Sequence, residues 1–246
     1  MTRKIVSPPC RPSTDRGLVS QRSIKEDRAV CFIYRFFGIL MVGHFVFSIY
    51  FCWQRQALHE LFWLSHISTL IGGIGALTRR PLVISVALVS LFEHHLFWLM
   101  DTVWWLISGK FPLGITAYLR DASIGDWIKS ANHFFSVPFL LVLAMIQARV
   151  HKTAWIWSMM LYAALAAVSA VWLPRSANVN CALGPCEGMD RLFSDGFGIH
   201  LYPSYWYLPF IIGFNGFLNY LPVNLVLSKL IPRIRIWAQH SAHRPE

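Results

Sequence analysis

One long apolar stretch of the sequence contains four ionisable side chains, at Glu93, His94, His95 and Asp101. Charged groups are costly inside a membrane-length helix, so they usually face the interior of a helical bundle or a water-filled cavity. His94 and Asp101 are seven residues apart, which places them about 20° from the same helical face, with Ser90 one turn before His94. This spacing suits acid–base chemistry, and it equally suits polar pairs that only fix helix packing.

Two neighbouring apolar stretches add further candidates for such chemistry, which are Ser65, His66, Ser68 and Thr69 in one and Asn132 and His133 in the other. We interpret His133 as a general base and Asp101 as the group that fixes its tautomer and orientation. A hydroxyl of the first stretch, Ser65 before the others, is the candidate nucleophile, and His66 and His94 complete the candidate set. The alternatives are an interfacial His133 bonded to a loop carbonyl, and hydroxyls bonded to their own helix.

Metal or haem binding is the other chemistry open to these residues. The side chains that could serve as ligands are His44, His66, Glu93, His94, His95, Asp101 and His133. Their spacing matches no recognised ligand motif such as HExxH or paired CxxC. We therefore assign no metal and no cofactor, and we keep metal binding or axial haem ligation as an alternative.

Six apolar runs of near-membrane length must position these groups. The chain is 55% hydrophobic and only 14% charged, whereas ordinary soluble domains are about 25% charged. Such runs are typical of transmembrane helices. The predicted fold class is all-α, a polytopic membrane bundle of about six helices. The predicted spans are 30–53, 61–78, 82–107, 127–147, 154–173 and 205–230. Gly72, Gly73 and Gly75 in the second span predict the close approach of a neighbouring helix.

The net charge of +10 does not indicate nucleic-acid binding. The basic residues lie at the ends of apolar runs and in both tails, a distribution that orients a protein in a membrane and contacts anionic headgroups. We divide the chain into a disordered basic cytoplasmic tail at 1–28, a transmembrane domain at 29–231 and a basic cytoplasmic tail at 232–246. Membrane lipids are the predicted partners, and protein partners are left open.

Lysine and arginine are shared unevenly between the two sides of these spans. Seven lie in the N-terminal tail, two in the turn after the second span, two in the turn after the fourth and four near the C-terminus. Both termini are therefore predicted in the cytoplasm and the protein in the cell (inner) membrane. Loops 108–126 and 174–204 are then external, and Asp101, His133 and the start of the second span share one depth beneath them.

The cysteines allow predictions about redox state. Cys181 and Cys186 in the second long loop could close a disulfide in an oxidising compartment, with Cys52 as a third candidate partner. Cys10 and Cys31 are predicted to be reduced on the cytoplasmic side. The alternative, a redox-active pair, lacks the CxxC spacing of thioredoxin-like motifs.

The chain resembles two families of six-span membrane proteins. It is similar to a little-characterised bacterial family in LFWLMDTVWWLISGKFPLGITAYLRD, NHFFSVPFLL, NVNCALG and YLPVNLVL, and this likeness covers most of the chain after Leu61. It implies the fold and no established function. Leu64-Ser65 and NHFFSVPFLL also resemble the androgen-induced family of threonine hydrolases, which cleave fatty-acid esters of hydroxy fatty acids. That resemblance implies a nucleophile at Ser65, in place of the family's threonine, and a histidine that aligns with His133 or falls on Ser136.

These observations support three hypotheses. The first is an intramembrane hydrolase or acyl transferase that acts on a lipid or acyl ester from the outer leaflet. The second is a non-enzymatic membrane protein, either an assembly subunit or a carrier in which Glu93 and Asp101 relay protons. The third is a metal-binding or haem-binding membrane protein. The substrate and the oligomeric state are left open.

Overall fold

The computed structural model describes residues 21–186 and 206–241, and the described residues contain helices and no strand. The helices are α1 (Gln21–Gln54), α2 (Leu64–Thr78), α3 (Pro81–Ser108), α4 (Ile124–Ser130), α5 (Asn132–Gln147), α6 (Ala154–Trp172), α7 (Tyr207–Phe214) and α8 (Leu221–Ser241). A π-helical segment, Asn215–Tyr220, joins α7 to α8. The predicted all-α class is confirmed.

Five helical segments are long and apolar enough to cross a membrane: Asp27–Gln54, Pro81–Ser108, Ile124–Gln147, Ala154–Trp172 and Tyr207–Ile234. The remaining predicted span corresponds to α2, which has 15 residues and is therefore about 22 Å long at 1.5 Å per residue. That length is shorter than the hydrocarbon core of about 30 Å. The described part of the chain thus has the composition of a membrane protein, with five helical segments long enough to span a membrane and one short apolar helix.

The predicted tails overlap the helices. α1 begins at Gln21 and α8 ends at Ser241, so parts of the segments 1–28 and 232–246 are helical. The rest of those two segments, together with Cys10, lies outside the described residues, as do residues 187–205 of the second long loop. The predicted reduced state of Cys31 is wrong, because Cys31 is disulfide-bonded.

Short connections define one end of the bundle, which we call the turn end, and long connections define the other, the loop end. The turn end contains the turn between α2 and α3 and the turn between α5 and α6. The loop end contains residues 109–123 and the described part of the second long loop, 173–186. Large apolar side chains on the helix surfaces are exposed, including Phe32, Ile39, Trp104, Val171 and Phe217. Lipid chains would cover such a surface in a membrane.

The glycines of α2 allow α1 to approach it closely. A Cβ atom added at Gly73 would lie 3.0 Å from Met41 Cβ and 3.1 Å from the Gly38 carbonyl oxygen. On the opposite side, a Cβ at Gly75 would lie 3.0 Å from the backbone nitrogen of Ile84 in α3. Small residues permit such backbone contacts between membrane helices. The close helix approach predicted from these glycines is therefore confirmed.

α3 is the central helix, because α2, α5 and α6 all pack against it. Its half towards the turn end is apolar and buried, from Ile84 to Leu91 with Ser85 and Ser90. Its half towards the loop end buries polar or aromatic side chains instead: His95, Trp98, Asp101 and Thr102. The two halves of one helix therefore differ in character, and the polar half lies directly beneath the loops.

An ionic network closes the rim of the loop end. Arg55, just after α1, pairs with Asp126 in α4, and Lys129 in α4 pairs with Glu60 in the short helix before α2. Ser123 and Asp126 also form a capping box that begins α4. Because of this cap, the fourth helical segment begins at Ile124, three residues before its predicted start. The network joins three elements around the site described below.

The second long loop enters the bundle at Asn180. Its side-chain oxygen accepts a hydrogen bond from Leu64 N at 2.7 Å, and its amide donates to the Phe62 carbonyl at 2.8 Å. The Tyr162 hydroxyl donates to the Asn180 carbonyl at 2.9 Å. A disulfide between Cys181 and Cys186 closes the adjacent turn. The loop therefore provides the partner that the first backbone N–H of α2 would otherwise lack.

We predict that Asn180→Ala lowers the melting temperature of the protein in detergent by several degrees. The substitution leaves buried backbone groups at Leu64 and Phe62 without partners, at a cost of about 1–3 kcal/mol. Asn178→Ala is the matched control, because both asparagines have positive φ, 38° and 58°, whereas Asn178 bonds only within its own loop. Equal melting temperatures for the two variants would contradict the prediction.

Candidate functional site

The polar half of α3 faces α5 through stacked aromatic rings. The rings of His95 and His133 are 4.4 Å apart between centroids. The ring of Trp98 lies 4.5 Å from that of His133 and is nearly parallel to it, at 16°. His95 is 1% exposed. The predicted base, His133, is therefore held between an indole and a second imidazole beneath the loop end.

Four histidines from four helices meet in this region, and we call them the histidine cluster: His44 of α1, His66 of α2, His95 of α3 and His133 of α5. The rings of His44 and His66 are 6.4 Å apart between centroids. His66 lies within electrostatic range of both His44 and His133. His66 and His133 belong to the predicted catalytic set, whereas His44 and His95 are predicted only as possible metal ligands.

Several ring nitrogens of the histidine cluster have no hydrogen-bond partner among the described residues. They are Nδ1 of His44, Nδ1 of His66 and both nitrogens of His95. His133 differs, because its Nδ1 lies 2.9 Å from the Ser130 carbonyl oxygen. A carbonyl only accepts, so Nδ1 carries the hydrogen and Nε2 carries the lone pair. A backbone carbonyl thus fixes the tautomer that a general base needs, and this contact is also the one expected of an interfacial histidine.

Asp101 has a different partner from the predicted one. Its Oδ1 accepts from Leu113 N at 2.8 Å, and its Oδ2 accepts from Thr116 N at 2.8 Å and from the Thr116 hydroxyl at 2.9 Å. Its side chain is completely buried. The nearest donors to this carboxylate are loop groups because the chain after α3 folds back over its own end. Asp101 therefore holds the loop at 109–123, while Ser130 orients His133.

Tyr118 connects this loop to the rings beneath it. Its hydroxyl accepts from Trp98 Nε1 at 3.0 Å and lies 3.0 Å from the Ser130 hydroxyl. Burial raises the pKa of Tyr118, so the phenol stays neutral and keeps its hydrogen for hydrogen bonding. Through these contacts the loop covers Trp98 and the residue that orients His133. We call residues 109–123 the cover loop.

The hydroxyls of α2 point to different neighbours. Thr69 Oγ1 lies 3.0 Å from Ser136 Oγ of α5 and donates to the carbonyl of Ser65 at 2.7 Å. The hydroxyl of Ser68 accepts from Ser90 of α3 at 2.9 Å. No described residue forms a hydrogen bond with the Ser65 hydroxyl, and Ser65 is partly exposed. Ser65 thus differs from Ser68 and Thr69, whose hydroxyls are bonded to other described residues.

The depth of Ser65 matches that of His133. α2 and α5 both begin at the loop end, and Thr69 meets Ser136. Ser65 lies four residues, about 6 Å, above Thr69, and His133 lies three residues, about 4.5 Å, above Ser136. Their heights therefore agree within about 2 Å. This placement agrees with the common depth predicted for the polar groups of α2, α3 and α5.

His94 belongs to a second polar group on another side of α3. Its ring lies 6.1 Å from that of Tyr220, in the π-helical segment, and Glu93 interacts electrostatically with the same tyrosine. Glu93 Oε2, His94 Nδ1 and the Tyr220 hydroxyl are buried and have no hydrogen-bond partner among the described residues. The His94 ring thus faces Tyr220, although it remains within electrostatic range of His95 and His133.

Metal binding receives no support from the arrangement of ligands. Within residues 21–186 and 206–241, no three histidine, cysteine, aspartate or glutamate side chains are placed to hold a metal ion. The histidine rings lie against one another and against Trp98 rather than around a common point. The metal and haem alternative stays a prediction.

Fold and site together define an all-helical protein of the membrane type, with a covered histidine cluster at one end of the bundle. No protein-family model, curated protein or solved structure matches the chain. The function must therefore be inferred from the side chains and their geometry.

We predict that Asp101→Asn loosens the cover loop. The neutral amide accepts hydrogen bonds more weakly than the carboxylate, and charge-assisted bonds contribute about 1.5–3 kcal/mol. Hydrogen exchange at Leu113 and Thr116 should become about tenfold faster or more, as measured by mass spectrometry on the protein in detergent. Asp121→Asn is the control, because Asp121 is exposed in the same segment. Unchanged exchange in Asp101→Asn would refute this role for Asp101.

Proposed function

We propose that the histidine cluster is the acid–base centre of an intramembrane hydrolase or acyl transferase that acts on a lipid or acyl ester at the outer leaflet. The observation that carries this proposal is the tautomer and the fixed position of the His133 ring. Its Nδ1 is bonded to the Ser130 carbonyl, its ring stacks on Trp98, and its Nε2 carries the lone pair. A neutral imidazole with a fixed tautomer is the arrangement of a general base.

The proposed reaction uses Ser65 as nucleophile. His133 Nε2 takes the hydroxyl proton as Ser65 Oγ bonds to the acyl carbon, and the same proton then passes to the alcohol oxygen as the ester bond breaks. Water in a hydrolase, or a second alcohol in an acyl transferase, next attacks the acyl-serine and regenerates both residues. The free ring nitrogens of His66 and His95 supply hydrogen bonds to the substrate or to the attacking water.

The site also needs an orientation in the membrane. We propose that the short helix α2 also crosses the membrane, which brings the number of spans to six. Both termini then lie in the cytoplasm, and the loop end faces the outer side of the cell (inner) membrane. Arg79, Arg80, Arg149 and Lys152 lie in the two turns of the turn end, which favours a cytoplasmic position for that end. The cysteines do not discriminate between the two orientations. Cys31 is disulfide-bonded towards the turn end, and Cys181 and Cys186 are disulfide-bonded at the loop end, so each end contains an oxidised cysteine.

We predict that His133→Gln abolishes ester cleavage while the melting temperature stays near that of the wild type. Glutamine preserves a hydrogen bond to Ser130 but provides no base. The assay uses protein in lipid bicelles and a panel of acyl esters and diacyl lipids, with products identified by mass spectrometry. His59→Gln is the control, because His59 lies in the short helix Leu58–Phe62 before α2 and is not a member of the cluster. Cleavage by the His133→Gln variant at the wild-type rate would exclude His133 as the base.

Covalent labelling tests the nucleophile separately. A fluorophosphonate probe should label the wild type and the Ser68→Ala variant but not the Ser65→Ala variant, because Ser68 is engaged with Ser90. Labelling that persists in Ser65→Ala would assign the nucleophile to another residue. No cleavage of any ester by the wild type would refute the enzymatic proposal.

A proton-linked carrier is the second candidate, and the unpaired atoms of Glu93, His94 and Tyr220 favour it. Glu93 lies near the middle of α3, where a proton relay across the membrane would need an ionisable group. For this function we predict that Glu93→Gln abolishes proton flux into proteoliposomes under a pH gradient. Glu60→Gln is the matched control at the rim. Equal flux in wild-type and empty liposomes would exclude the carrier.

A further inference from the structure

A groove opens at the turn end, opposite the histidine cluster. It has a volume of about 490 Å³ and is lined by Arg80, Pro81, Leu82, Val83, Arg149 and His151. These residues come from both short turns and from the first turn of α3. The groove is large enough for a small ligand or for the headgroup of a lipid. We call it the basic groove.

The charge of the basic groove is uniformly positive. Arg80 and Arg149 are exposed, and neither forms an ion pair with any described residue. No carboxylate lines the groove. Two guanidinium groups without counter-ions repel each other, so an anion bound between them would relieve the repulsion and accept their hydrogen bonds.

The start of α3 adds a further attraction for an anion. Arg80 precedes the helix, Pro81 occupies its first turn, and no side chain caps the helix. The first N–H groups of a helix have no partner within it and carry the positive end of the helix dipole. In a helix of 28 residues this end suits a phosphate or carboxylate.

His151 is held in place at the edge of the groove. Its backbone N–H donates to the Ser85 hydroxyl at 3.0 Å, and its Nδ1 lies 2.9 Å from the Thr153 hydroxyl and accepts from Thr153 N at 3.4 Å. Because Nδ1 accepts, Nε2 carries the hydrogen. His151 therefore adds an N–H donor beside the two arginines.

We propose that the basic groove binds the phosphate headgroup of an anionic phospholipid from the leaflet at the turn end. The groove combines cationic groups with the apolar side chains of Leu82 and Val83, which begin a membrane-length helix. A free phosphate would use the cationic half alone, whereas a lipid would also place its acyl chains along α3. The proposal concerns a different end of the molecule and is independent of the proposed enzyme.

Native mass spectrometry of the full-length protein, released from detergent, tests this site. The probes are phosphatidylglycerol, zwitterionic phosphatidylcholine and inorganic phosphate, each titrated separately. We expect phosphatidylglycerol to bind at least tenfold more tightly than phosphatidylcholine, and the double variant Arg80→Gln/Arg149→Gln to lose at least tenfold of that affinity. The control double variant, Lys110→Gln/Arg175→Gln, removes the same charge at the loop end and should bind as the wild type does.

Each other outcome would overturn the proposal. Equal losses in the two double variants would show attraction by net charge alone. Inorganic phosphate that binds as tightly as phosphatidylglycerol, and displaces it, would identify a site for a soluble anion. If the double variant loses helical circular dichroism, the single variant Arg149→Gln replaces it, and unchanged affinity in that folded variant would overturn the proposal.

Discussion

The enclosure of α3 by α2, α5 and α6 is the constraint on which the rest of the structure depends. A polar side chain on an enclosed helix reaches neither water nor lipid headgroups, so it must find its partners within the protein. Near the turn end the problem is small, because the buried part of α3 is apolar apart from Ser85 and Ser90. Near the loop end α3 buries several polar side chains, and the cover loop and α5 supply partners for them.

Asp101 shows how the chain meets this constraint. The oxygens of a completely buried carboxyl group need hydrogen-bond donors, and the cover loop brings three of them. The loop is in turn connected to Trp98 and Ser130 through Tyr118. The buried Asp101 side chain therefore holds the cover loop in place, and the cover loop closes the histidine cluster at the loop end. This arrangement explains how a segment without a long helix can close the end of the bundle.

Much of the fold could be predicted from the sequence, because long apolar runs have few alternatives to membrane helices. The predicted close approach at Gly73 also follows from residue type alone. The rotation of each helix could not be predicted in the same way. Glu93, His94 and His95 are consecutive, so they point about 100° apart on the helix, and their residue types do not indicate which one faces α5.

The common depth of the polar groups of α2, α3 and α5 could be predicted from the sequence, whereas the contacts between their side chains could not. Depth follows from counting residues along a helix, which is why Ser65 and His133 were placed together. The partner of Asp101 depends on the path of the cover loop, which apolar periodicity does not encode. One signal in the sequence does point to His95: His95, Trp98 and Thr102 recur at helical spacing, and all three are buried in the structure.

The unpaired nitrogens of His95 bear on whether the cluster is only structural. Each buried polar atom without a partner costs about 1–3 kcal/mol, and His95 has two such atoms. A role in packing alone would be served better by an apolar ring, which would fill the same space against His133 without that cost. Such groups are instead expected where water or a ligand supplies the missing partners. The cost is localised beneath the cover loop, at the depth of Ser65, and this is where the proposed ester would bind.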